Sequence, residues 1–263
     1  MAEPWYAIPE GKTVPKLQRP VLLEGLPGIG NVGKIAIDFL IEELKAKKLS
    51  SLFSHTLPHS VFVNENNLVE LPSIEVYYKQ FSDRKKPDLL ILTGDVQPTE
   101  EVSSYAFCEK VLELAKGFGV NEVITTGGIG LREVPEEPRI FITGNSKTLI
   151  ERYAKKNAVE TSIHGVVGPI VGVSGLLLGL ASRYGMEGVA LLAETFGHPM
   201  YLGVKGAREI LRVLNGQWGL KLDLLKLTKE IEQLEKETIK RTKELTAMQR
   251  AMKGNSDETT YIG

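Results

Sequence analysis

The chain has 263 residues, a formal net charge of −1 and a single cysteine, Cys108. Near-neutrality removes the electrostatic case for nucleic acid as the main partner, and one cysteine excludes an internal disulfide. Ordinary apolar and charged fractions argue against wholesale disorder, and the length suits one α/β domain with an appendage.

Pro4, Pro9, Pro15 and Pro20 keep the first segment extended. The N-terminus has neither a basic start nor an apolar run of signal-peptide length. Residues 20–24 read as a short buried strand, and 25–30 as a glycine turn. Over 31–47 the spacing of Val32, Ile35, Ala36, Phe39, Leu40 and Leu44 is helical. A β-rich stretch spans 52–78, broken by Pro58, the polar run 64–67 and Pro72. Further strands are predicted at 88–93, 121–126, 139–143 and 188–193. Helices are predicted at 100–118, 147–156, 176–184 and 204–214. The most apolar window, 165–181, holds five glycines and a proline and falls short of a bilayer span. No membrane association and a cytoplasmic setting are therefore expected. The alternation of strand and helix predicts an α/β fold, a mostly parallel sheet with helices on both faces.

The glycine turn meets one nucleotide-binding pattern and narrowly misses another. Gly28, Gly30 and Gly33 form G-x-G-x-x-G between a strand and a helix, the context of a dinucleotide site. The acidic residue that binds ribose about 20 positions on is missing from residues 50–55. Read as a P-loop, Lys34 is in register, but Ile35 stands where a hydroxyl must ligate Mg²⁺. The favoured reading is structural: Gly25, Gly28, Gly30 and Gly33 make a tight strand-to-helix turn, with no cofactor. A second glycine run, residues 126–130, is expected as a turn at a strand end. With the first it could line a crevice. Nucleotide sensing, or nucleoside phosphorylase-like or hydrolase-like chemistry in that crevice, are the alternatives.

Little else has the spacing of an active site. His55, His59, His164 and His198 are scattered, and Pro58 spoils the one i, i+4 pair. Cys108 reads as a semi-buried helix residue. Ser174 is not in a nucleophile elbow, because Gly175 follows one position early. No catalytic, cofactor-binding or metal-binding residue is assigned.

Composition changes after Trp218. Leu220, Leu224, Leu227, Ile231, Leu234, Thr238, Arg241, Leu245, Met248 and Met252 alternate steps of four and three, a heptad seam. A helix over 220–252 would reach roughly 48 Å. Burying its first five apolar residues is worth roughly 7–15 kcal/mol as an upper bound, so the stripe calls for cover: a copy of itself or a partner helix, with folding back on the chain's own domain as the alternative. Beyond it, 254–263 is polar and ends in Tyr261-Ile262-Gly263. The expected organisation is an oligomerisation domain over 1–218, a partner-binding helix over 219–253 and a tail over 254–263. Leu224, Leu227, Ile231, Leu234, Leu245, Met248, Met252, Tyr261 and Ile262 are the candidate partner-binding residues.

Five segments, in order, resemble the proteasome assembly chaperone family, its archaeal homologues in particular. They are Glu24-Gly25-Leu26-Pro27-Gly28-Ile29-Gly30-Asn31-Val32-Gly33, Gly94-Asp95-Val96-Gln97-Pro98, Thr126-Gly127-Gly128, Gly172-Val173-Ser174-Gly175-Leu176-Leu177-Leu178 and Ala193-Glu194. The resemblance implies a phosphorylase-like α/β fold, a homo-oligomer (tetramer or pentamer) and no established catalysis. It also implies docking on proteasome α-subunits through a C-terminal hydrophobic–Tyr–any tripeptide. Here Tyr261 is antepenultimate and Ile262 takes the tyrosine's place, so a different helical partner is also weighed.

Overall fold

The computed structural model describes residues 5–11, 14–163, 165, 168–224 and 226. Its elements run β1 (Tyr6–Pro9), β2 (Val21–Gly25), α1 (Val32–Leu44), β3 (Lys47–Phe53), β4 (Phe62–Val63), β5 (Val69–Glu70), β6 (Ile74–Lys79) and β7 (Leu89–Gly94). The chain continues with α2 (Glu101–Gly117), β8 (Glu122–Leu131), β9 (Ile140–Gly144), α3 (Lys147–Ala154), α4 (Val173–Ala181), β10 (Glu187–Phe196) and α5 (Val204–Trp218).

Among the described residues, eight strands form one sheet in the order β1-β3-β6-β7-β2-β8-β10-β9. Its centre, β7-β2-β8-β10, is parallel. The flanks are antiparallel: β1, β3 and β6 on one side and β9 on the other. The expectation of a mostly parallel sheet is corrected accordingly. Parallel neighbours need a long crossover, usually a helix, whereas strands joined without one reverse direction. Residues 54–73 and 80–88 contain no helix, so β3, β6 and β7 fold back on one another.

β2 and β7 are buried throughout, as central strands covered on both faces must be. Leu22, Leu90 and Val123 face α2 and α4 and pack with Phe107, Val111 and Leu177. On the other face, α1 packs against α5, burying Ile37, Leu40, Ile210 and Leu211 completely. Trp5 anchors the N-terminal strand: its ring lies 4.6 Å from that of Phe107, and its Nε1 donates to Ser103 O.

Several boundaries differ from expectation for local reasons. Lys45 takes a left-handed conformation (φ 50°) and ends α1 at Leu44, so β3 begins at Lys47. β8 continues to Leu131 because β10 pairs with it along its whole length, so residues 126–130 are strand and not a turn. Gly219 (φ 61°) caps α5. Leu220 is therefore not the first position of a long helix: residues 220–223 are non-helical, and Leu220 is buried in the domain core. Leu224 is half-buried. Leu227, Ile231, Leu234, Leu245, Met248, Met252, Tyr261 and Ile262, and with them the predicted long helix and tail, lie outside the described residues. Among those residues, no helix is long and apolar enough to cross a membrane.

Candidate functional site

The chain leaves β2 toward α1 on one face and β7 toward α2 on the other. Such reversals open a crevice at the carboxyl ends of the strands. A cavity of about 440 Å³ lies there, walled by Leu26, Pro27 and Ile29 of the glycine turn, Gly127–Gly130 of β8, Ile170 and Ser174.

Glycine is required here mainly for contact. A Cβ on Gly33 would lie 2.5 Å from Thr126 O, so its absence lets α1 rest on β8. A Cβ on Gly25 would strike Ile37, and one on Gly128 the carbonyl of Ile29. Gly30 adds a positive φ of 61°, which favours glycine. Gly28 differs from the expected structural role. It is extended (φ −157°) with open space where a Cβ would project, so nothing in the packing demands glycine there. Lys34 pairs with Asp38 at 2.9 Å, and no hydroxyl stands at Ile35.

Under the crevice floor is Glu24, fully buried. Leu26 N–H donates to its Oε1 and Ser174 Oγ to its Oε2, each at 2.9 Å. Burial pushes this carboxyl from the ordinary 4.5 up to about 7, although hydrogen bonds from Leu26, Ser174 and Thr126 pull the other way. Thr125, its register neighbour on β8, has a buried hydroxyl without a hydrogen-bond partner. Motif spacing gives neither Glu24 nor Ser174 a role. The available signal is a carboxylate inside the otherwise apolar run Val21-Leu22-Leu23-Glu24-Gly25, which has to find donors wherever it is buried.

The segments that carry the family resemblance converge on this place. Gln97 bridges two of them, donating from Nε2 to Pro27 O at 2.7 Å and accepting from Val173 N–H at 3.2 Å. Thr126 Oγ1 donates to Glu24 O at 2.8 Å. Glu194, buried at the far side of β10, accepts from Arg139 N and Nε at 3.0 Å. Burial raises its carboxyl, but the Arg139 hydrogen bonds outweigh that and hold it below the ordinary range. The motifs thus read as one packing and hydrogen-bonding arrangement around the switch between strands.

Other candidate chemistry is not assembled. Cys108 is fully buried, and burial followed by the charges of Glu24 and Glu109 pushes its thiol far up, the opposite of an activated nucleophile. Among the described residues no cluster of His, Cys, Asp or Glu is arranged to hold a metal. His198 stacks on Phe196, and His164 lies outside the described residues.

Fold and crevice together define an open-sheet α/β protein whose strand-end crevice is framed by glycine backbone over a buried glutamate held by the half-buried Ser174. The PAC2 family profile matches residues 22–241, and the chain belongs to the PAC2 family. Among solved structures it is similar to Pyrococcus furiosus PbaB, an archaeal proteasome activator. The identity is 35% over 92% of this chain and 100% of that one, with a TM-score of 0.82. Pyrococcus furiosus PbaA, an archaeal homolog of proteasome-assembly chaperone, shares the fold at 24% identity, with a TM-score of 0.74 over 96% and 97% of the two chains. Proteasome assembly chaperone 2 of Bos taurus is 30% identical over 122 residues, 44% of each chain.

Proposed function

We propose that this PAC2 protein is non-enzymatic and acts on proteasome particles as a homo-oligomer that presents its C-terminal segment to the partner. The observation that carries this reading is the similarity to the archaeal proteasome activator, which spans that protein entirely. The crevice agrees with it. Its described lining is glycine backbone and aliphatic side chains, with Gln97, Thr126 and Ser174 already engaged by the protein itself. The heptad pattern after residue 224 supplies an apolar stripe for a helical contact, and Tyr261-Ile262 supplies an apolar tip.

The test uses a purified archaeal 20S proteasome and the full chain. Co-sedimentation with the particle and a change in its peptide-hydrolysis rate are expected. A chain lacking residues 255–263 should keep its own fold and lose the effect on hydrolysis. Loss with this deletion assigns the contact to the tail; retention assigns it to the preceding helix. If the full chain neither binds the particle nor alters hydrolysis, the reading fails.

A further inference from the structure

Beyond Thr125, β8 keeps a strand partner on one side only. Glu187 N–H donates to Asn121 O at 3.0 Å, and Gly197 N–H donates to Leu131 O at 2.9 Å. At both ends of β8, then, the odd-numbered residues turn their backbone groups toward β10, and the register between the two ends is unbroken. Successive residues of a strand point their N–H and C=O to alternate sides, so Gly128 and Gly130 turn theirs away from β10, toward the β2 side. β2 has ended by then: its last pair with β8 is Glu24 with Thr125. Among the described residues neither glycine finds a hydrogen-bond partner on that side. A free donor and a free acceptor therefore stand at Gly128 and again at Gly130, roughly 6.6 Å further along.

This free edge opens into the crevice. Gly128 and Gly130 line the cavity of about 440 Å³ together with Leu26, Ile29, Ile170 and Leu192. Two further features mark it as a place of contact. Ile29 and Val171 line the cavity and are 52% and 85% exposed, so its rim is apolar. Exposed strand edges are usually guarded by lysine, proline or a bulge, and Gly127-Gly128-Ile129-Gly130 carries none of these.

We propose that the crevice receives an extended, aliphatic peptide segment of a protein partner, whose main chain adds as a strand along the free edge of β8. Complementarity selects this occupant. None of the described lining residues is charged, so a phosphate or carboxylate finds no counter-charge there. The free groups are neutral, include both donors and acceptors, and repeat every second residue, which is the pattern an extended main chain supplies. Side chains of that segment meet Leu26, Ile29 and Ile170, which favour aliphatic groups. The cavity holds one segment and has no room for the folded surface of a second copy. This contact lies beyond the C-terminal one proposed above and stands without it.

The test is fluorescence polarisation of the full chain with a labelled, end-capped hexapeptide of alternating serine and valine. Saturable binding is expected. The same peptide N-methylated at every residue keeps its side chains and loses its main-chain donors, and it should bind about tenfold more weakly or worse. Gly130→Pro removes one free N–H and no bond of the ladder to β10, a position at which a strand accepts proline. Val171→Asp changes only the exposed rim. With native circular dichroism spectra, each variant should weaken binding about tenfold. Equal binding of the N-methylated peptide overturns the inference, because the apolar pocket alone would then be recognised. Absence of binding at about 1 mM peptide overturns it as well. Displacement of the peptide by ATP or inorganic phosphate would give the crevice to an anion, and binding that falls as the chain is concentrated would give it to a second copy; either result refutes the proposal.

Discussion

Glu24→Gln is the most informative single substitution in the crevice. The carboxyl is fully buried, and its pKa stands at about 7 against an ordinary 4.5. Each unit of difference is worth 1.36 kcal/mol, so the native state holds the protonated form better by about 3 kcal/mol. A raised native pKa makes a contribution that is complete below the unfolded value and is lost as pH rises through the native one. Stability of the native sequence should therefore fall by about 3 kcal/mol between pH 4.5 and pH 8 on account of this group alone. Glutamine has the same shape, still accepts from Leu26 N–H and donates to Ser174 Oγ, and does not ionise. The variant should match the native chain near pH 4.5 and exceed it at pH 8. For a domain of this size that amounts to a melting temperature about 6–12 °C higher. Calorimetry of both chains at pH 4.5, 6, 7 and 8 reads the difference directly. Parallel curves would refute the argument, because they would mean that Leu26 and Ser174 compensate the burial of the charge fully.

Gly33→Ala should lower stability by about 1–3 kcal/mol, the usual cost of forcing an atom into a packed interior, because the new Cβ meets Thr126 O at 2.5 Å. Gly28→Ala, with open space at the same turn, should change it by less than about 0.5 kcal/mol. Urea titration of the pair decides between contact and mere turn chemistry, and equal losses would refute the contact argument. Cys108, buried under α4 with its Sγ near Val173 O, should resist a maleimide in native buffer and react only on unfolding. Stoichiometric labelling of the native chain within minutes would show that the α2–α4 layer opens.

The class of fold was legible because its cause is local. Apolar spacing at 3.6 residues marks α1, α2 and α5, and short apolar runs mark β2 and β7, whatever their neighbours are. The glycine turn was likewise legible as a turn, and its misfit to both nucleotide patterns could be read from Ile35 and from residues 50–55. Strand direction was not legible. It depends on whether a connection crosses over the sheet or folds back, and the segment 54–73 shows this only once the pairing of its flanking strands is known. The extent of β8 was hidden for a similar reason. Glycines at 127, 128 and 130 read as a turn in isolation, but β10 supplies hydrogen bonds that hold them extended. Leu220 fits a heptad seam by spacing alone, yet the left-handed cap at Gly219 turns it into the core. Tertiary structure alone placed Glu24 beside Ser174, 150 positions apart, because a buried carboxyl takes its pKa from whatever the fold packs around it.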